Sequence, residues 1–275
     1  MNSLGFAAAI VSAVCWGTFF VPVKKVKVEN IWQLQGATGL GVILFAIPVG
    51  FLWGFAILPS GLLSGVIWSV GNILALYSVR LIGLSRTSPF LAGFSILVSF
   101  LWGILFFGEK FNYLILAIIA VGMLLGGLPF IANTTRGLPI QKKGYLIAAA
   151  SGLIGGSYVI PMQATHSLQS GFFSSSLSIF LIGIPLLLLS RRFIRKEVIG
   201  GILSGSLFNV GSLAVLIAVG IIGITVAYPI SQTATLFAVS WGILYFKEII
   251  DRQHIRRAII GAGLIMCGAG LLSIA

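Results

Sequence analysis

Apolar residues run on along most of the chain. They show neither the alternation of a half-buried strand nor the narrow stripe of a helix with one wet face. The runs are about 20 residues long, the length a helix needs to cross roughly 30 Å of hydrocarbon. Each stops at turn residues or charges. The pattern predicts an all-α polytopic membrane protein with ten transmembrane helices, near 4–23, 31–53, 61–80, 86–107, 111–132, 144–164, 170–190, 198–219, 224–246 and 254–274. Two divisions rest on short breaks alone, Leu81 to Ser85 and Gly220 to Gly223.

Composition agrees with that pattern. Of 275 residues, 58% are hydrophobic and 8% charged, against about 25% charged in soluble domains. Ten spans use up the chain and leave no room for a soluble domain. The net charge of +12 is explained by where the charges fall. The loops after helices 1, 3, 5, 7 and 9 carry every lysine and arginine except Lys110. The positive-inside rule puts that basic side in the cytoplasm and both termini outside. A nucleic-acid partner is not expected, because the charge is split among five short membrane loops. No cleavable signal peptide is expected either, since the first charge is Lys24 and the first apolar run has the length of a full span. Cys15 and Cys267 lie in apolar runs at opposite ends of the chain and read as small core hydrophobes. The sequon at Asn133 falls on the cytoplasmic side and is discounted as a glycan site.

The two halves of the chain resemble each other at an offset of 139 to 141 residues. Ser12, Gly17, Thr18 and Pro22 recur as Ser151, Gly156, Ser157 and Pro161. Gly61-Leu-Leu-Ser-Gly65, with Gly71, Gly83 and Pro89, recurs as Gly201-Ile-Leu-Ser-Gly205, with Gly211, Gly223 and Pro229. Trp102-Gly-Ile-Leu-Phe-Phe-Gly-Glu109 recurs as Trp241-Gly-Ile-Leu-Tyr-Phe-Lys-Glu248. This divides the chain into a first repeat, 1–138, and a second, 139–275. Five helices is an odd number, so the second repeat enters the bilayer upside down. Inverted repeats of this kind occur in secondary transporters, with the substrate site near the midplane between them.

Three stretches carry a family resemblance: Gly17-Thr-Phe-Phe-Val-Pro-Val-Lys-Lys25, Gly83-Leu-Ser-Arg-Thr-Ser-Pro89 and Trp241-Gly-Ile-Leu-Tyr-Phe-Lys-Glu248. The chain resembles the drug/metabolite transporter superfamily in its glucose/ribose porter branch of sugar uptake proteins, over nearly its whole length. The middle stretch is the most specific to the sugar branch. The resemblance implies a membrane carrier for a small metabolite, with monosaccharides as the leading class and proton coupling as the usual drive. Proton relays need an ionisable group in the membrane. Glu29, Glu109, Glu197, Glu248 and Asp251 all fall at helix ends or loops, and His166 and His254 lie near boundaries, so no buried carboxylate is expected. Coupling through a loop-end acid, another ion, or uncoupled exchange stay open.

A sugar offers hydroxyls and two faintly apolar faces, so its site needs neutral polar groups and an aromatic platform. Mid-membrane polar residues fit that chemistry. Trp68 and Asn72 share a face of helix 3. Ser95 and Ser99 lead to Trp102 on helix 4, and Ser231 and Thr235 share a face of helix 9 with Gln232 and Thr233 flanking. Thr18 and Ser157 are repeat mates, as are the positions of Asn72 and Ser212. The expected substrate-binding set is therefore Thr18, Trp68, Asn72, Ser95, Ser99, Ser157, Ser212, Gln232 and Thr235. For each serine and threonine, helix packing is the competing role. For Trp102 and Trp241 it is a place in an interfacial belt. Arg86 has two open roles, a positive-inside anchor and a gate at the cytoplasmic mouth. The GxxxG pairs Gly61/Gly65, Gly152/Gly156 and Gly201/Gly205 allow close helix approach. The glycines of helices 5 and 10 fit either packing of the two halves or a homodimer contact.

The expected partners are a small neutral substrate and the bilayer, with a homodimer left open, and with no cofactor and no metal. An exporter of drugs or amino acids from the same superfamily is the alternative. No HExxH, GxSxG or paired aspartates point to an enzyme, no filter motif points to a channel, and no P-loop points to ATP-driven transport.

Overall fold

A computed structural model describes residues 3–26, 29–106, 113–132, 141–190, 193–222, 227, 230–231 and 233–272. The described residues form helices and connecting turns, with no strand among them. The helices are α1 Ser3–Thr18, α2 Val21–Lys25, α3 Ile31–Trp53, α4 Pro59–Ile82, α5 Leu84–Leu105 and α6 Leu114–Ala132 in the first half. The second half holds α7 Lys142–Gly156, α8 Ile160–Ala164, α9 Gly171–Leu188, α10 Arg195–Ile222, α11 Ala234–Ser240 and α12 Arg252–Leu272. A π-helical turn, Trp241–Tyr245, continues α11.

Eight segments are long and apolar enough to cross a membrane, taking α1 with α2 and α7 with α8 as one span each. Ile115–Ile131 and Ala234–Tyr245 are shorter apolar helices. Large apolar side chains cover the outside, among them Leu52, Leu105, Leu188, Leu244 and Ile250. In water such a surface would be an aggregation liability. In hydrocarbon it is the ordinary exterior, and the chain is a membrane protein. Cys267 is one of these outward residues rather than a core hydrophobe, whereas Cys15 is buried.

Prolines set the interruptions within the segments Ser3–Lys25 and Lys142–Ala164. Pro22 and Pro161 sit in the first turn of the short helices α2 and α8, where a missing N–H is tolerated. The chain therefore breaks just ahead of each. The break expected between Leu81 and Ser85 falls at Gly83, whose φ of 84° is a left-handed value that favours glycine. It ends α4 and leads directly into α5.

Glycines let backbones meet. On α4, Gly61 and Gly65 lie against Gly171, Ser174 and Ser175 of α9. On α10, Gly201 and Gly205 lie against Leu34, Ala37 and Thr38 of α3. A Cβ on Gly205 would stand 2.0 Å from the Thr38 carbonyl oxygen, so no side chain fits. Gly127 of α6 and Gly261 of α12 pack on each other's carbonyls. The faces carrying Gly122, Gly126 and Gly263 meet nothing within 4 Å of an added Cβ.

Two acids depart from expectation. Glu197, in the first turn of α10, is fully buried, and the Glu248 side chain is 8% exposed. Each comes from the second half and holds the start of a helix in the first. Glu197 accepts from the Glu29 and Asn30 backbone N–H groups, at 2.6 and 3.1 Å, just ahead of α3. Glu248 accepts from the Leu84 and Ser85 N–H groups, at 2.8 and 2.7 Å, and pairs with Lys24 at 3.1 Å. The first N–H groups of a helix have no intrahelical partner and carry its positive dipole end, so a carboxylate suits them. Burial is satisfied by backbone donors, which a reading of charge spacing does not reveal.

Candidate functional site

Two cavities lie end to end inside the bundle and share one wall. The first, about 140 Å³, is lined on α4 by Trp68, Gly71, Asn72 and Ala75. The second, about 90 Å³, is lined on α4 by Ser64, Gly65 and Trp68. Residues before Trp68 thus face the second cavity and residues after it face the first. On α10 the second cavity takes Phe208, Asn209, Ser212 and Val215, while the first takes Phe208 alone. Trp16, Trp68, Tyr158 and Phe208 line both. Trp68 and Phe208 stack at this wall with ring centroids 4.2 Å apart. Trp16 reinforces it, donating from Nε1 to the Phe208 carbonyl at 3.3 Å. The first cavity lies toward the end that carries Lys24, Arg80 and Arg86, the second toward the opposite end.

Helix packing commits many of the polar groups. In the first cavity, Ser95 and Ser151 donate to the carbonyls of Gly152 and Gly71 on neighbouring helices, at 3.0 and 2.8 Å. Asn72 donates from its amide to Gln35 Oε1 at 2.7 Å. Its Oδ1 and the hydroxyls of Ser88 and Thr235 have no hydrogen-bond partner among the described residues. In the second cavity, Ser212 donates back to the Phe208 carbonyl at 3.0 Å. Asn209 uses both amide protons, toward the Val42 carbonyl at 2.9 Å and Ser176 Oγ at 3.1 Å. Among the described residues, no charged side chain lines either cavity. The lining offers aromatic faces, lone pairs and a few hydroxyls, which suits a small neutral ligand rich in O–H groups.

The structure brings together five of the residues singled out from sequence. Trp68, Asn72, Ser95 and Thr235 line the first cavity, and Trp68 and Ser212 the second. Three others stand outside both. Ser99 donates to the Gly156 carbonyl at 3.0 Å. Ser157 receives the Trp102 indole N–H at 2.9 Å, and Thr18 receives that of Trp241 at 3.1 Å. These last two bonds join one pair of repeat mates to another. Arg86 donates to the Ile82 carbonyl at 3.1 Å, at the mouth of the α4–α5 junction. Gln232 lies outside the described residues, as do Glu109, Pro229 and the sequon at Asn133. Sequence reasoning missed Trp16, Phe19, Phe208 and Tyr158 as wall residues. Phe208 was within reach, because it stands 140 residues after Trp68 in the repeat.

A polytopic helical bundle with an uncharged, aromatic-walled cavity pair at its centre has the form of a small-molecule carrier. The comparisons agree. The sugar transport protein family matches residues 7–275, and the chain belongs to that family. It is 26% identical to the glucose uptake protein of Bacillus subtilis and 24% identical to a putative ribose uptake protein of Latilactobacillus sakei, with 97% of each chain covered in both pairs. It is 25% identical to a probable glucose uptake protein of Staphylococcus aureus, over 99% of both chains. One protein crystal structure shares the fold at a TM-score of 0.59, with 13% identity and 98% of both chains covered. The chain is a membrane sugar transporter.

Proposed function

We propose that the protein carries a monosaccharide across the cell membrane by alternating access between two inverted five-helix halves, 1–138 and 139–275. The observation that carries the reading is the pair of cavities meeting at Trp68 and Phe208, which occupy equivalent positions 140 residues apart. A site at the meeting of two inverted halves is reached from either face as one half rocks against the other. Helix contacts support the duplication. α3 packs on α10 as α9 packs on α4, α1 on α10 as α7 on α4, and α5 on α7 as α11 on α1. Exchanging each helix for its counterpart in the other half leaves this set unchanged.

Cavity volumes of about 140 and 90 Å³ lie below the roughly 300–1,000 Å³ of sites for drug-sized ligands, which favours one sugar ring over two. The absence of charge among the described lining residues favours a neutral sugar over a phosphorylated one. The basic loops favour a first cavity on the cytoplasmic side and both termini outside.

Uptake of labelled glucose, ribose and rhamnose into proteoliposomes, with and without an inward proton gradient, tests this. Saturable flux of at least one sugar is expected. Accumulation that needs the gradient makes the carrier proton-coupled, and equilibration without accumulation makes it uncoupled. No sugar flux from folded protein overturns the reading in favour of an exporter of another metabolite.

A further inference from the structure

The two cavities are built from one motif with its polar residues exchanged. The first repeat reads Trp68-Ser69-Val70-Gly71-Asn72 and the second Phe208-Asn209-Val210-Gly211-Ser212. The aromatic, valine and glycine keep their places, while serine and asparagine trade. Gly71 packs on the Gly155 backbone and Gly211 on Trp16, so both motifs are fixed at equivalent points of the bundle.

The exchange makes the two ends chemically unequal. In the first cavity the amide stands one helical turn beyond the aromatic wall, at Asn72, held by Gln35 of α3. The Gln35 Nε2 is fully buried and has no partner among the described residues, and Gln35 itself lines neither cavity. The counterpart of Asn72 is Ser212, whose proton is committed to its own helix. In the second cavity the amide stands beside the wall, at Asn209. Its two donors are committed to α3 and α9, so what Asn209 and Ser212 have left to offer at this cavity is acceptor oxygens.

Resting on the sugar-carrier reading, we propose that the two cavities are unequal half-sites for one sugar. Asn72 sets the affinity on the basic face, and Ser212 with Asn209 sets it on the opposite face. The stacked pair Trp68 and Phe208 is the platform common to both. A sugar entering from the basic face meets an amide one turn out from the platform, and one entering from the other face meets a hydroxyl there. In an uncoupled carrier, such a difference in affinity is matched by opposite differences in turnover, because net flux vanishes at equal concentrations.

The test is side-resolved glucose affinity in right-side-out and inside-out vesicles. It is read as the concentration on one face that halves net flux driven from the saturated opposite face. Asn72→Ser is expected to weaken affinity about tenfold on the basic face, the equivalent of one hydrogen bond, and less than twofold on the other. Ser212→Asn is expected to shift only the opposite face. Equal shifts on both faces in either variant mean a single shared site and overturn the proposal, as does no shift in either. If Asn72→Ser does not fold, Ser212→Asn, in the other half, decides alone. Wild-type protein that moves no glucose, ribose or rhamnose overturns the carrier reading itself. Wild-type flux with equal shifts on both faces overturns only this inference.

Discussion

Glu248 shows what a single buried acid does in this bundle. Its carboxylate receives the first two N–H groups of α5 and the Lys24 ammonium, and it lies against the position where Gly83 would carry a Cβ. No other residue type does all of this. A shorter acid does not reach, and an amide offers one acceptor oxygen where two are in use. Glu248→Ala leaves those N–H groups without a partner at a buried helix start, at a cost of about 1–3 kcal/mol. In a chain of this size that lowers the melting temperature in detergent by several degrees, at about 2–4 °C per kcal/mol. Glu248→Gln keeps one acceptor and is expected to fall between wild type and alanine. Equal melting temperatures for all three would show that water replaces the carboxylate.

At the scale of elements, helices approach through glycine, and a carbonyl takes the place of the missing side chain. Gly205 on α10 and Gly65 on α4 are repeat mates, and each faces a carbonyl oxygen, of Thr38 and of Ser175, at 2.0 and 2.4 Å from an added Cβ. Gly205→Val and Gly65→Val are each expected to destabilise by about 1–3 kcal/mol or more. Both should show as loss of monodisperse protein on size exclusion, whereas Gly122→Val, on an open face, should not. These glycines were legible in the sequence because spacing of four on an apolar helix has one main use. The Gly83 break was legible for a similar reason, as the one interruption in a long apolar run. The ties of Glu248 to Leu84 and of Glu197 to Asn30 were not legible. They join positions more than 160 residues apart through backbone N–H groups, which every residue type but proline offers equally. Polar type alone also failed to separate Asn72, which faces a cavity, from Ser99, which closes a gap between α5 and α7. Both are mid-membrane polar residues, and only the rotation of the helix distinguishes them.

For the whole molecule, what matters is that the aromatic wall divides a path with two ends. Ser88 lines the first cavity and Gln163 the second, and neither lines both. The two ends are also closed by different chemistry. Buried carboxylates hold helix starts at the basic end. At the other end Leu58 N–H donates to Ser174 Oγ at 2.8 Å, and Ser60 and Ser167 share a hydrogen bond of 2.9 Å. Single cysteines at Ser88 and Gln163, in a background lacking Cys15 and Cys267, report this division directly. Cys267 is exposed on an apolar surface, so its replacement by alanine should cost little. A membrane-impermeant thiol reagent is expected to reach Ser88→Cys from the basic face and Gln163→Cys from the opposite face. Glucose should slow both reactions, because one ligand occupies either side of the wall in turn. Both cysteines reacting at once from a single face would describe an open channel, and the aromatic wall would then divide nothing. Reaction from the faces opposite to those expected would invert the assignment of the basic loops to the cytoplasm while leaving the paired cavities intact.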